Sequence, residues 1–304
     1  MSKSYTSNTT LMTKAREAWR LRQWHATNAA SRVKQVIEVM DELEETLRAR
    51  YGLALEGLDV LDIGTGQQQI QSAWLARRNR VTGIDLDVIA KGWSPWPYLK
   101  MARENGANRT VKTLARKALG LDAMYSRALF DELGRTANDL SVQQMDVMDI
   151  RLASGSFDFV YCSSVLQCVP DVPRALEEMN RVLKPGGVGY FTVQLYSSET
   201  GSLDPRLYGG DRSDIPYWAH LRPTEASKVA GNAWLNKLRL SEWREHVGAN
   251  LFDPTIELSQ PKAEALEPLA QSLHRMGELR DYTLEELLTH ELRVSWSKKN
   301  GRDG

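Results

Sequence analysis

The sequence predicts an α/β protein in which a mostly parallel sheet is covered by helices on both faces. Three observations carry that reading. A short apolar run, Leu58–Ile63 (LDVLDI), ends in a glycine turn. A second apolar run, Val81–Asp85, ends on acidic residues, with a helical stretch from about Gln68 to Asn79 between the two. Further strand-like and helical stretches then alternate along the chain. Strand, turn, helix and strand within about 30 residues form a βαβ unit, and its repetition gives a parallel sheet.

Ahead of the first strand, Val33, Val36, Ile37, Met40, Leu43 and Leu47 recur at helical spacing, which predicts a helix opening at Asn28 or Ser31 and stopping near Gly52. Beyond the second strand, Ser141–Met145 and Phe157–Ser163 read as strands. Asp171-Val-Pro173 supplies an N-cap and an early proline for a helix running to Leu183. Lys184-Pro-Gly-Gly187 ends that helix, and Val188–Gln194 is the next strand. A helix around Leu240–Val247, a strand near Pro254–Leu258, a capping box at Thr283–Glu286 and a strand at Leu292–Ser297 complete the pattern.

Two stretches exceed what a crossover needs, Asp87–Ser141 and Ser197–Leu238, and long loops in compact domains are usually functional. The expected organisation is a helical segment 1–52 over the cofactor site, then a core 53–304 with insertions at 88–140 and 197–238, all in one domain.

Composition excludes several classes. Lys plus Arg and Asp plus Glu number 39 each, so no overall field draws nucleic acid or an anionic membrane. Two cysteines, Cys162 and Cys168, cannot build a disulfide framework, and the five histidines lack metal-site spacing. No apolar run approaches the roughly 18 residues of a membrane span, and the N-terminus lacks the apolar stretch of a secretory signal. The expectation is a cytoplasmic, reduced, globular protein with no bound metal.

The informative segment is Val60–Gly66 (VLDIGTG) followed by Gly83-Ile-Asp85. Gly64 and Gly66 let a ligand approach the backbone, and Asp85 ends a strand where it can accept from a ribose diol. A dinucleotide site wants a third glycine where this chain has Gln69. Asp62, read as a carboxylate within the turn, suits a cationic ligand better than a pyrophosphate.

These segments, with VQQMDVMDI and FDFVYCSSVLQCVPDVPRALEEMNRVLKPGGVGYFTV, resemble a class I S-adenosylmethionine-dependent methyltransferase over about Leu58 to Gln194. The resemblance implies a Rossmann-like fold whose seven-stranded, mostly parallel sheet is flanked by helices, the helical and loop insertions forming an acceptor cap. It implies that Asp62, Gly64 and Gly66 line the methionine moiety and that Asp85 binds the ribose. It places Leu86 on the adenine, has Asp146 accept from the adenine amino group beside Val147, and sets Ser163 next to the cofactor. Many relatives carry histidine where this chain has Cys168.

Methyl transfer to an alcohol needs acceptor, methyl and sulfur aligned and the hydroxyl proton removed. His220, in YWAHLR, is the first candidate base and Asp214 the second; a histidine pinning its loop through a backbone hydrogen bond is an equal alternative. Asp204, Asp211 and Asp214 form either a divalent-ion cluster or a solvated acidic loop, the latter preferred. Trp93, Trp96, Tyr208, Tyr217, Trp218 and Trp234 suit a sugar or aromatic acceptor but more commonly pack an insertion onto a core. Lys112–Lys117, with Arg103 and Arg109, is either a phosphate contact or a solvated helix face. The expected function is O-methylation of a small-molecule or glycan hydroxyl, in a surface-glycan or secondary-metabolite pathway. An NAD-type oxidoreductase and a non-catalytic protein of the same fold are the alternatives.

Overall fold

The computed structural model describes residues 11–300 apart from 88, 91, 105, 138–139, 209–213 and 232–233. Seven strands, β1 (Asp59–Ile63), β2 (Arg80–Asp85), β3 (Val142–Gln144), β4 (Phe157–Ser163), β5 (Leu183–Gln194), β6 (Thr255–Ser259) and β7 (Glu291–Ser297), form one sheet. Their order is β3-β2-β1-β4-β5-β7-β6. Strands β1 to β5 pair in parallel, and β7 runs antiparallel between β5 and β6.

The chain divides into two compact units. The first comprises residues 1–45, 66–77 and 87–140 and is helical. It holds most of α1 (Leu11–Tyr51), with α2 (Ile70–Leu75), α3 (Pro95–Glu104), α4 (Ala107–Ala118) and α5 (Leu121–Leu133). Its core packs Ala29 and Val33 of α1, Ile70 and Ala73 of α2, and Tyr125, Ala128 and Leu129 of α5. The expected start of α1 near Asn28 is too late. Residues of high helix propensity extend the helix back through Trp24 and Trp19 to Leu11. Helix α2 is shorter than expected, because Arg77 and Arg78 lie in a turn that leads into β2.

The second unit, residues 46–65, 78–86 and 141–304, contains the whole sheet. Its helices are α6 (Val172–Val182), α7 (Pro205–Tyr208), α8 (Leu240–Asn250), α9 (Ala263–Arg275) and α10 (Leu284–Leu288). Helix α6 begins as expected: the Asp171 carboxylate accepts from the Arg174 amide at 3.0 Å, with Pro173 in the first turn. It buries Val172, Ala175, Leu176, Met179 and Val182, the i, i+3, i+4 stripe of an amphipathic helix. Each large apolar side chain so buried contributes about 1.5–3 kcal/mol. That stripe joins Phe191, Val193, Val294 and Trp296 of the sheet in the main core.

Lys184–Gly187 does more than end α6. It lies inside β5 as a bulge: Phe157 pairs with Leu183, but Phe159 pairs with Val188. Gly187 is required because a β-carbon there would press on the carbonyl oxygens of Lys184, Asp158 and Phe157. Lys184 bonds Asp59 at 3.0 Å and Asp158 at 2.8 Å, tying β1, β4 and β5 together at the start of β1. The Arg80 guanidinium and then Lys184 hold the Asp59 carboxyl down at about 2.

A satellite core gathers Trp218 with Leu266, Ala270, Leu273, Leu279 and Leu287. Trp218 is fully buried and donates its indole N–H to the Leu287 carbonyl at 3.2 Å, so this aromatic packs the 197–238 insertion onto α9 and α10. The expected capping box at Thr283 is only half formed: Thr283 accepts from the Glu286 amide at 3.1 Å, but the Glu286 carboxylate accepts from the Arg239 guanidinium at 2.6 Å instead of returning to the cap. No helix among the described residues is long and apolar enough to cross a membrane.

Candidate active site

Strand register collects the expected cofactor residues of the sheet. Ile63 lies opposite Ile84 on one side and Cys162 on the other, and Asp85 lies opposite Gln144. The residues that leave these strand ends, Gly64, Leu86, Asp146 and Ser163, therefore share the carboxyl edge of the sheet, where open α/β sheets bind ligands. The Met145 amide donates to the Asp85 carbonyl at 3.0 Å, which carries the third strand's exit past Asp85.

Gly64 has φ of 76° and donates its amide to the Ile84 carbonyl at 2.8 Å. A β-carbon there would overlap Val165, the half-buried residue in the turn after β4. Thr65 is 7% exposed, and its hydroxyl has no partner among the described residues. Gly66 also has a positive φ, 62°, and faces open space. Leu86, one residue beyond β2, is 66% exposed.

Asp62 lies elsewhere than expected. It is part of β1, paired in register with Gly83 and Tyr161, and 2% exposed. Burial first, and then the nearby Asp62 charge, push the Cys162 thiol pKa upward. Asp146 accepts from the Met148 amide at 2.9 Å and turns the chain so that Val147 is buried. Ser163 pairs its hydroxyl with Thr192 at 3.1 Å.

Cys162 fills the core, but Cys168 does not. It is exposed on the 3-10 turn Leu166–Cys168, while its neighbour Gln167 is buried with its side-chain oxygen unpartnered. Gln167, like Thr65, is a polar group that no motif marks in the sequence.

His220 is half-buried and its Nε2 lies 2.6 Å from the Tyr196 carbonyl oxygen, two residues beyond β5. The loop-pinning bond is therefore present. Burial holds the ring's pKa down at about 4, against the opposing pull of that hydrogen bond. A neutral ring that donates through Nε2 keeps its lone pair on Nδ1, so pinning and proton acceptance are compatible. Asp214 is exposed in the turn before Ile215.

The acidic cluster dissolves on inspection. Asp204 is fully buried, bonded to the Arg206 guanidinium at 2.6 Å and to the Ala230 amide at 2.7 Å. It is neither solvated nor grouped for a metal, and no such group exists among the described residues. Asp211 lies outside the described residues, as does the side chain of Tyr208. Trp93, Trp96 and Trp234 are 67%, 75% and 60% exposed, so packing an insertion does not account for them. The basic tract is partly spent: Arg109 pairs with Asp87, and Lys117 bonds the Tyr98 hydroxyl at 2.7 Å.

Residues 61–191 match the family model described as "Methyltransferase domain". The demethylmenaquinone methyltransferase of Staphylococcus carnosus is 40% identical over 58 residues, 19% of this chain and 24% of that one. The ubiquinone biosynthesis O-methyltransferase of Xanthomonas oryzae pv. oryzae is 25% identical over 209 residues, 66% of this chain and 70% of that one. Among solved structures, the [4+2]-cyclase SpnF overlays with a TM-score of 0.43 at 18% identity, covering 86% of this chain and 81% of that one. The chain thus spans about a quarter of the length of the Staphylococcus relative.

Proposed function

We propose, from the match of residues 61–191 to the methyltransferase domain family, that the chain is a class I S-adenosylmethionine-dependent enzyme that methylates a hydroxyl of a small-molecule or glycan acceptor. The observation that carries the proposal is the register that sets Gly64, Asp85, Asp146 and Ser163 along one sheet edge. S-adenosylmethionine supplies an electrophilic methyl group on a sulfonium.

On this reading Asp85 accepts from the two ribose hydroxyls, and Asp146 accepts from the adenine amino group. Leu86 offers the adenine an apolar contact, and Val147 lies beside Asp146. Gly64 and Gly66 open the backbone to the methionine portion, with Asp62 as a fixed negative charge beneath a cationic ligand. Ser163 borders the same edge. His220 takes the acceptor's hydroxyl proton on Nδ1 while its Nε2–H stays on Tyr196, and Asp214 is the second candidate for that proton. The O-methyltransferase from Xanthomonas supports an oxygen acceptor, as does a base that stays neutral at pH 7.

The test is incubation of the full chain with methyl-labelled S-adenosylmethionine and a panel of phenols, sugars and amines, read by mass spectrometry and NMR. Label in a new methyl ether, absent without protein, is the expected result. Label on nitrogen or carbon alone contradicts the O-methylation reading.

A further inference from the structure

The helical unit contains a cavity of about 360 Å³, lined among others by Gln67, Gln69, Ala90, Lys117, Tyr125 and Ser126. None of the residues assigned above to the cofactor lines it. Three of its polar groups are spent. Lys117 Nζ is held by the Ala90 carbonyl at 3.3 Å and the Tyr98 hydroxyl at 2.7 Å. Asp122 accepts from Arg116 at 3.0 Å, and the Tyr125 hydroxyl is 3.1 Å from His25 Nδ1.

Gln69 differs. It is 2% exposed and held at a left-handed φ of 52°, and neither its side-chain nitrogen nor its oxygen has a partner among the described residues. Burying both ends of a carboxamide unpaired is costly, and such a group calls for an explanation. The amide offers a donor and an acceptor side by side in one plane. Two adjacent hydroxyls match it, one accepting from Nε2 and the other donating to Oε1. Lys117, already fixed by two acceptors, has a third N–H for a further oxygen. The volume falls within the range of small-ligand sites.

We infer that this cavity binds the vicinal diol of a polyhydroxylated small molecule, a sugar ring, with Gln69 reading the diol. That the sugar is the methyl acceptor rests on the proposed function; the binding itself does not.

Saturation-transfer NMR of the full chain with methyl mannoside, methyl galactoside and methyl rhamnoside tests it. At least one should bind, and Gln69→Met should weaken it about tenfold, the loss expected for two neutral hydrogen bonds. Ser126→Phe, which fills the cavity, should do the same. Gln69→Met should melt no lower than the parent, because it removes an unpaired buried amide. If none of the three glycosides binds, or if both variants bind as well as the parent, the inference is overturned. Calorimetry with S-adenosylmethonine in parallel separates the two readings. Intact cofactor binding without sugar binding removes the cavity assignment alone, whereas sugar binding without cofactor binding removes the methyl-transfer reading alone.

Discussion

His220 and Tyr196 are locked together: the imidazole Nε2 donates to the Tyr196 carbonyl at 2.6 Å, and the two rings meet edge-on with centroids 4.9 Å apart. The contact fixes one tautomer and ties the 197–238 insertion to the end of β5. His220→Ala is expected to lower turnover about 100-fold with cofactor affinity unchanged in calorimetry. Parental turnover in that variant removes His220 from the mechanism.

The same histidine predicts a pH dependence. Its pKa is about 4 in the fold against 6.5 in the open chain. The unfolded state therefore binds the proton first, and the contribution is whole above pH 6.5 and lost as pH falls toward 4. Melting temperature should decline across that window, and His220→Gln should flatten the decline.

Glu199 gives a second acid-sensitive point. It is 3% exposed and lies 3.1 Å from His290 and 2.9 Å from Lys262. Burial raises its pKa, but the contacts with His290 and Lys262 outweigh this and hold it at about 2. With the folded value below the open-chain 4.5, its stabilisation is full above pH 4.5 and lost as pH falls toward 2. Glu199→Ala should cost about 2 kcal/mol or more at pH 7 by denaturant unfolding.

Gly64 tests the turn. Gly64→Ala puts a methyl group into Val165 at a φ that L-residues avoid, a cost of about 1–3 kcal/mol. Val165→Ala should return part of the loss in a double-mutant cycle, since it relieves the overlap but leaves the strained φ. A fully additive pair would show that the two residues do not meet.

Much of this was legible in sequence because the signals are local. The run LDVLDI, the turn Gly64–Gly66 and the acid at Asp85 each report on their own few residues, and the strands formed where periodicity placed them. The N-caps at Asp171 and Thr283 are likewise read within four residues. What escaped depends on distant partners. Asp204 looked like a solvated acid because the Ala230 amide, 26 residues on, meets it only in the fold. Trp218 and Trp93 are the same residue type, yet one is buried on Leu287 and the other exposed. Gln69 marked only the absence of a third glycine, since burial to 2% exposure is set by the fold and not by its neighbours in sequence.

Asp85 bears most directly on the central claim. Calorimetric titration of the parent and of Asp85→Ala with S-adenosylmethionine, with NAD as the control, is the decisive measurement. Saturable binding of S-adenosylmethionine alone, weakened by about 1–3 kcal/mol in the variant, is the predicted result. Binding of NAD without S-adenosylmethionine, or equal affinity in parent and variant, would contradict the account.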